Sequence, residues 1–156
     1  MLHKLEPPKG MAFTCYNMVL PEITPVGTCQ VVLTCLSYGD AWLRLDPGEY
    51  VDTKNRLADA MLDFAEQHYP GLRENLEVIE VSTPLTNMRY ANALGGSIYG
   101  FNNTPGENTV WRIPQKGPVG GLYFAGAWTQ PGGGFEPTIM SGQMAGDLIL
   151  RKFKRA

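Results

Sequence analysis

Thirteen of the chain's eighteen glycines lie between Gly95 and Gly146, and the densest stretch, Gly121–Gly146, reads GLYFAGAWTQPGGGFEPTIMSGQMAG. Fixing a glycine costs more backbone entropy than fixing any other residue, so such a cluster marks main chain that passes close to something. The order of residues predicts a short buried strand over Gly121–Gly126 and a thin loop through Ala127-Trp128-Thr129-Gln130 and Pro131 to three glycines. A helix then runs over Pro137–Phe153, with Pro137 suited to its first turn. A loop of this kind turns backbone N–H groups outward beside the positive end of a helix, which stabilises negative charge. Inside the helix Ser141, Gly142, Ala145 and Gly146 form a small-residue face. Each interior glycine costs about 1 kcal/mol against alanine, so two of them imply a very close neighbour. A helix packed tightly on a sheet with no ligand satisfies the same pattern, and the residues alone leave the two readings level.

The classical dinucleotide fingerprint does not fit. Gly132-Gly133-Gly134-Phe135-Glu136-Pro137 gives G-x-G-x-x-P, and no acidic residue follows about 20 positions later, because the chain ends at Ala156. No such motif occurs elsewhere.

Upstream, Phe13–Val19 and Thr28–Tyr38 are rich in β-branched and aromatic residues and are predicted strands, joined by the loop LPEITPVG. Asp46-Pro47-Gly48-Glu49 opens a helix reaching about Tyr69, with Leu57, Ala58, Met61, Leu62, Phe64, Ala65 and Tyr69 at helical spacing and Pro70-Gly71 ending it. Asn75–Thr83 alternates apolar and charged residues and is a predicted strand; PLTNMRYANAL after it is a short helix or turn. The chain therefore divides into a portion over 11–92 and a glycine-rich portion over 93–156. The latter carries too few apolar residues for a core of its own, so the two are expected to form one α+β folding unit with a mixed sheet.

An apolar fraction of 44% and a charged fraction of 18% are those of an ordinary globular protein. The formal net charge of -2, without a basic stripe interleaved with aromatics, excludes a general nucleic-acid binder. Cys15, Cys29, Cys35, His3 and His68 show no metal-ligand spacing, and Cys29 and Cys35 are expected in the core. The odd, sparse cysteine count fits a reducing compartment, and MLHKLEPPKG has no apolar signal region, so a cytoplasmic location is expected. The longest apolar runs, Val31–Leu36 and Leu122–Trp128, are too short to span a bilayer, leaving at most peripheral membrane contact. No Ser/His/Asp or Cys/His arrangement supports hydrolysis.

Gly121–Gly146 resembles the C-terminal FAD motif of the phytoene desaturase, carotenoid isomerase and retinol saturase group of amine oxidase-like flavoproteins. That motif is an apolar strand ending in Gly-Ala or Gly-Asp, a threonine, Pro-Gly-x-Gly, and a helix carrying Ser-Gly and small residues. Here Leu122–Ala127, Thr129, Pro131-Gly132-Gly133-Gly134, Ser141-Gly142 and Ala145 supply it. Thr83-Pro84-Leu85-Thr86-Asn87-Met88-Arg89-Tyr90 and Gly95-Gly96-Ser97-Ile98-Tyr99-Gly100 are similar to the segment before the flavin-capping strand. The Tyr50–Leu72 helix is similar to the group's substrate-domain helix.

The resemblance implies an FAD-dependent oxidoreductase acting on an apolar polyene or isoprenoid lipid by desaturation, saturation or isomerisation. It places Gly126 and Ala127 near the pyrophosphate and ribityl chain. Gly133 would be a further cofactor contact, and Gly134, Phe135, Glu136 and Pro137 would line the isoalloxazine, with the N–H of Thr138 or Ile139 toward flavin O2. Many relatives carry an acidic residue where Ala127 stands, so that contact is lost here. The group's N-terminal βαβ is absent from these residues. FAD is therefore expected to bind only with an N-terminal half as partner, and the chain alone is expected to be inactive. Two other functions fit the same residues: a non-catalytic binding or dimerisation module, and an amine oxidase-like enzyme.

No catalytic residue is assigned. Arg89 fits a structural arginine on the carbonyls of the glycine loop better than a channel residue. Glu136 fits a first-turn carboxylate better than a general base. Tyr99 and Phe101 suit a substrate tunnel or a loop anchor equally, and His68 reads as a surface residue near a helix end.

Overall fold

A computed structural model describes residues 4–101 and 111–154. The chain divides into two compact units, Met1–Arg89 and Tyr90–Ala156, and its class is α+β.

In the first unit β1 (Ala12–Cys15) and β2 (Val31–Thr34) pair antiparallel, with Phe13 opposite Leu33 and Cys15 opposite Val31. Both strands are shorter than the β-propensity predicts. A 3-10 turn at Tyr16–Met18 bends the chain out of the ladder, and the Asn17 side chain fixes that bend. Its Nδ2 donates to Thr24 Oγ1 at 2.7 Å while its Oδ1 accepts from the Gln30 N–H at 2.7 Å. Tertiary hydrogen bonds thus override a local preference that continues through Val19. The expected core position of Cys29 is also wrong: it is exposed, while Cys35 is half-buried, with Sγ 3.7 Å from Met61 Sδ.

A short helix α1 (Gly39–Leu43) buries Trp42, whose indole N–H donates to Ser37 Oγ at 2.8 Å. The Asp46 carboxylate then accepts from Gly48 N–H at 2.8 Å, closing a turn that leads into α2 (Tyr50–Glu66). Leu62 and Ala65 from the apolar stripe are buried, and Phe13 of β1 stacks on Tyr69 with ring centroids 4.1 Å apart. The helix stops three residues before the expected Tyr69, because Glu66 turns back on the chain that follows. Its carboxylate accepts from Gly71 N–H at 2.6 Å and Arg73 N–H at 2.9 Å, with Gly71 at a φ of +88° that favours glycine. The Arg73 guanidinium closes the loop onto Asp63 at 2.7 Å and onto the Asp59 carbonyl at 2.9 Å.

Those N–H donors, Arg73 first and then Gly71, hold the Glu66 carboxyl below the ordinary carboxylate range. A carboxyl whose folded value lies below its unfolded value stabilises the fold above the unfolded value and loses that contribution as pH falls through the folded one. Denaturation midpoints across an acid pH series should therefore drop more steeply for the natural chain than for Glu66→Gln. Parallel curves would show that the cap does not titrate.

Residues 75–83, predicted as a strand, have no ladder partner, and Asn75 itself ends a 3-10 turn. Val78 and Ile79 are both exposed, and among the described residues the only ladder is β1–β2, with two isolated bridges in the second unit. The expected mixed sheet is thus a two-stranded antiparallel one. Alternation describes a surface that suits a sheet, but a strand needs a neighbour to accept its hydrogen bonds. α3 (Pro84–Ala91) forms where a helix or turn is expected, started by reciprocal bonds between Thr83 and Thr86 at 3.0 and 3.4 Å. Buried Thr83 also meets Tyr50 Oη at 3.0 Å. A cleft of about 350 Å³ opens beside Tyr50, lined by Trp42, Leu43, Leu45, Pro47 and Leu85.

In the second unit α4 (Phe135–Phe153) starts two residues earlier than the sequence predicts, with Gly134 as N-cap, so Pro137 falls at the third helical position and still within the first turn. The expected strand over Gly121–Gly126 is not regular. Only Tyr123 bridges to Lys116, and Phe124 N–H donates to the Gln115 carbonyl at 2.8 Å. Positive φ at Gly121 and Gly126, +88° and +115°, breaks the strand at both ends.

Candidate functional site

The glycine loop over 126–134 is held from three sides within the second unit. The first is Arg112, whose side chain is buried at 4% exposure and forks into main-chain carbonyls. Its Nη1 donates to Ala127 O at 2.7 Å and Tyr99 O at 2.9 Å, and its Nη2 donates to Phe101 O at 2.9 Å. A planar guanidinium with several fixed donors is the side chain that can gather three carbonyls in this way.

The second anchor is Ser141 on α4, which has no exposed surface. Its Oγ donates to Thr138 O at 2.7 Å and accepts from Gly126 N–H at 2.7 Å, tying the loop's entry to the helix. The third is Thr129, buried, whose Oγ1 donates to Gly126 O at 2.8 Å. Gln115, also buried, donates from Nε2 to the Gln130 carbonyl, and Gln130 N–H donates to Ile113 O at 3.0 Å. Trp128 meets Phe101 edge to face with centroids 4.7 Å apart.

The glycines divide by what surrounds them. A Cβ built on Gly133 falls onto the Tyr99 backbone, 2.5 Å from its carbonyl oxygen and 2.6 Å from its carbonyl carbon. One on Gly100 lies 2.5 Å from Ala127 O, and one on Gly132 lies 3.2 Å from Arg112 Nε. These three are small because protein packs on protein. Gly126 has nothing within 4 Å of such a Cβ, and Gly134, at φ +111°, meets only Pro137 at 3.4 Å. An approaching ligand has room there. The helix glycines Gly142 and Gly146 also meet nothing within 4 Å, so the close neighbour expected for them is not found among the described residues.

The N–H groups sort in the same way. Thr138 N–H is donated to Gly134 O at 3.1 Å, and Ile139 lies inside the helix, so neither points out of the loop. Helix geometry leaves the N–H groups of the first residues, Phe135 and Glu136, without intrahelical acceptors, while Pro137 has none to offer. Phe135, Glu136 and Ile139 are exposed, and Gly133, Pro137 and Thr138 are half-buried.

The family model described as flavin containing amine oxidoreductase matches residues 4–150. The chain belongs to that family. Among curated relatives it is 29% identical to prolycopene isomerase 1 of an Oncidium hybrid cultivar over 157 residues, which cover 96% of this chain and 27% of that protein. It is 34% identical to 4,4'-diapolycopene oxygenase of Methylomonas sp, covering 83% of this chain and 26% of the relative. With phytoene desaturase (lycopene-forming) of Pantoea ananas the identity is 31% over 61% of this chain and 20% of the relative. The chain thus spans about a quarter of the length of the prolycopene isomerases it matches.

Membership in the family implies a flavin cofactor. The residues fit a flavin edge at one place: Gly126 and Gly134 are open to an approaching ring or phosphate, and the first N–H groups of α4 are donors for an anionic edge. Gly133 belongs to the loop's own packing instead. The side chain that sequence reasoning missed is Arg112. It is a lone cation in an apolar run, VWRIP, between two glycine-rich segments, and that isolation is the signal by which it could have been found. Among the described residues no cluster of His, Cys, Asp or Glu suits a metal, and no helix is long and apolar enough to cross a membrane.

Proposed function

We propose that the chain is the flavin-edge portion of an FAD-dependent oxidoreductase acting on an apolar polyene or isoprenoid. The observation that carries this reading is the loop over 126–134. It is fixed by Arg112 and Ser141 yet open at Gly126 and Gly134, beside the start of a 19-residue helix. When bound, the flavin supplies hydride or electron transfer to and from the substrate. This chain's residues would bind and orient it: Gly126 and Ala127 toward the phosphates and ribityl chain, Gly134, Phe135 and Glu136 along the ring. The apolar cleft at Trp42, Tyr50 and Leu85 suits a hydrocarbon ligand, since its lining residues carry little that needs water.

The relatives are about four times as long as this chain, and the remaining FAD contacts belong in the part it does not span. Alone, the chain should bind FAD weakly or not at all and turn over no substrate. Titrating FAD against the 156-residue protein should leave flavin fluorescence and absorbance unchanged. Adding a separately expressed dinucleotide-binding half from a relative should shift both. Stoichiometric, tightly held FAD in the chain alone would sink the requirement for a second half; no flavin change with the half present would sink the site.

A further inference from the structure

We draw no further inference here: the strongest candidate, the apolar cleft of the first unit lined by Trp42, Leu43, Leu45, Pro47, Tyr50 and Leu85, belongs to the hydrocarbon site already proposed, and nothing in the structure shows what covers its open side in a chain that spans about a quarter of the prolycopene isomerases it matches.

Discussion

Gly133→Ala should unfold or severely loosen the second unit, at a cost of about 3 kcal/mol or more. The new methyl group would sit on the Tyr99 main chain, 2.5 Å from its carbonyl oxygen. Backbone cannot step aside as the end of a long side chain can, so the loop over 126–134 or the segment at Tyr99 has to move. Gly133 is not among the residues with positive φ, so alanine is acceptable to its own dihedrals and the effect isolates the steric contact. Gly142→Ala is the counterpart. It has open space and a helical backbone, and should gain about 1 kcal/mol. Urea denaturation of both variants, followed by near-ultraviolet circular dichroism, checks the pair. A Gly133→Ala protein within about 1 kcal/mol of the natural chain would mean that the loop does not rest on Tyr99.

Arg112→Met should cost about 4 kcal/mol, because it leaves the carbonyls of Tyr99, Phe101 and Ala127 without the donors that now satisfy them. Methionine keeps most of the stem's apolar volume, so the loss reports the hydrogen bonds rather than a cavity. Arg112→Lys should recover only a small part. An ammonium on a flexible stem cannot reach three carbonyls that a flat guanidinium reaches at once. Amide exchange is the more local measurement: protection at the loop over 126–134 should fall in Arg112→Met, while the β1–β2 ladder and α2 of the first unit keep theirs. Uniform loss across both units would show that Arg112 acts on the whole fold rather than on the loop. Where flavin binding is reconstituted with a second half, the same variant should weaken it, since the open positions at Gly126 and Gly134 depend on a loop held in one shape.

Both variants test contacts that the residues themselves do not announce. The glycine cluster was visible in the sequence, and so was its position before a helix. The division of labour within it was not. Gly133 and Gly126 look alike in a string of letters, yet one is filled by the Tyr99 backbone and the other is open. Arg89 was the expected arginine for the loop carbonyls, and Arg112 makes those bonds. Thr138 and Ile139 were expected to offer N–H groups, but helical hydrogen bonding uses the Thr138 N–H and puts Ile139 inside α4.

The sequence by itself determined the features that rest on neighbours a few residues apart: the apolar stripe of α2, the short helix or turn from Pro84, the glycine loop and the helix after it. Each is fixed by dihedral preference, capping or a 3.6-residue period, which act within one or two turns. Only the tertiary structure decided whether residues 75–83 found a strand partner, how short β1 and β2 are, and which glycines contact protein. Those outcomes depend on segments 15 to 51 residues apart, such as Ala127 on Arg112 or Leu5 on Arg56. Local preference carries no information about which distant carbonyl or backbone will arrive, so the glycine loop could be located from sequence while its anchors could not.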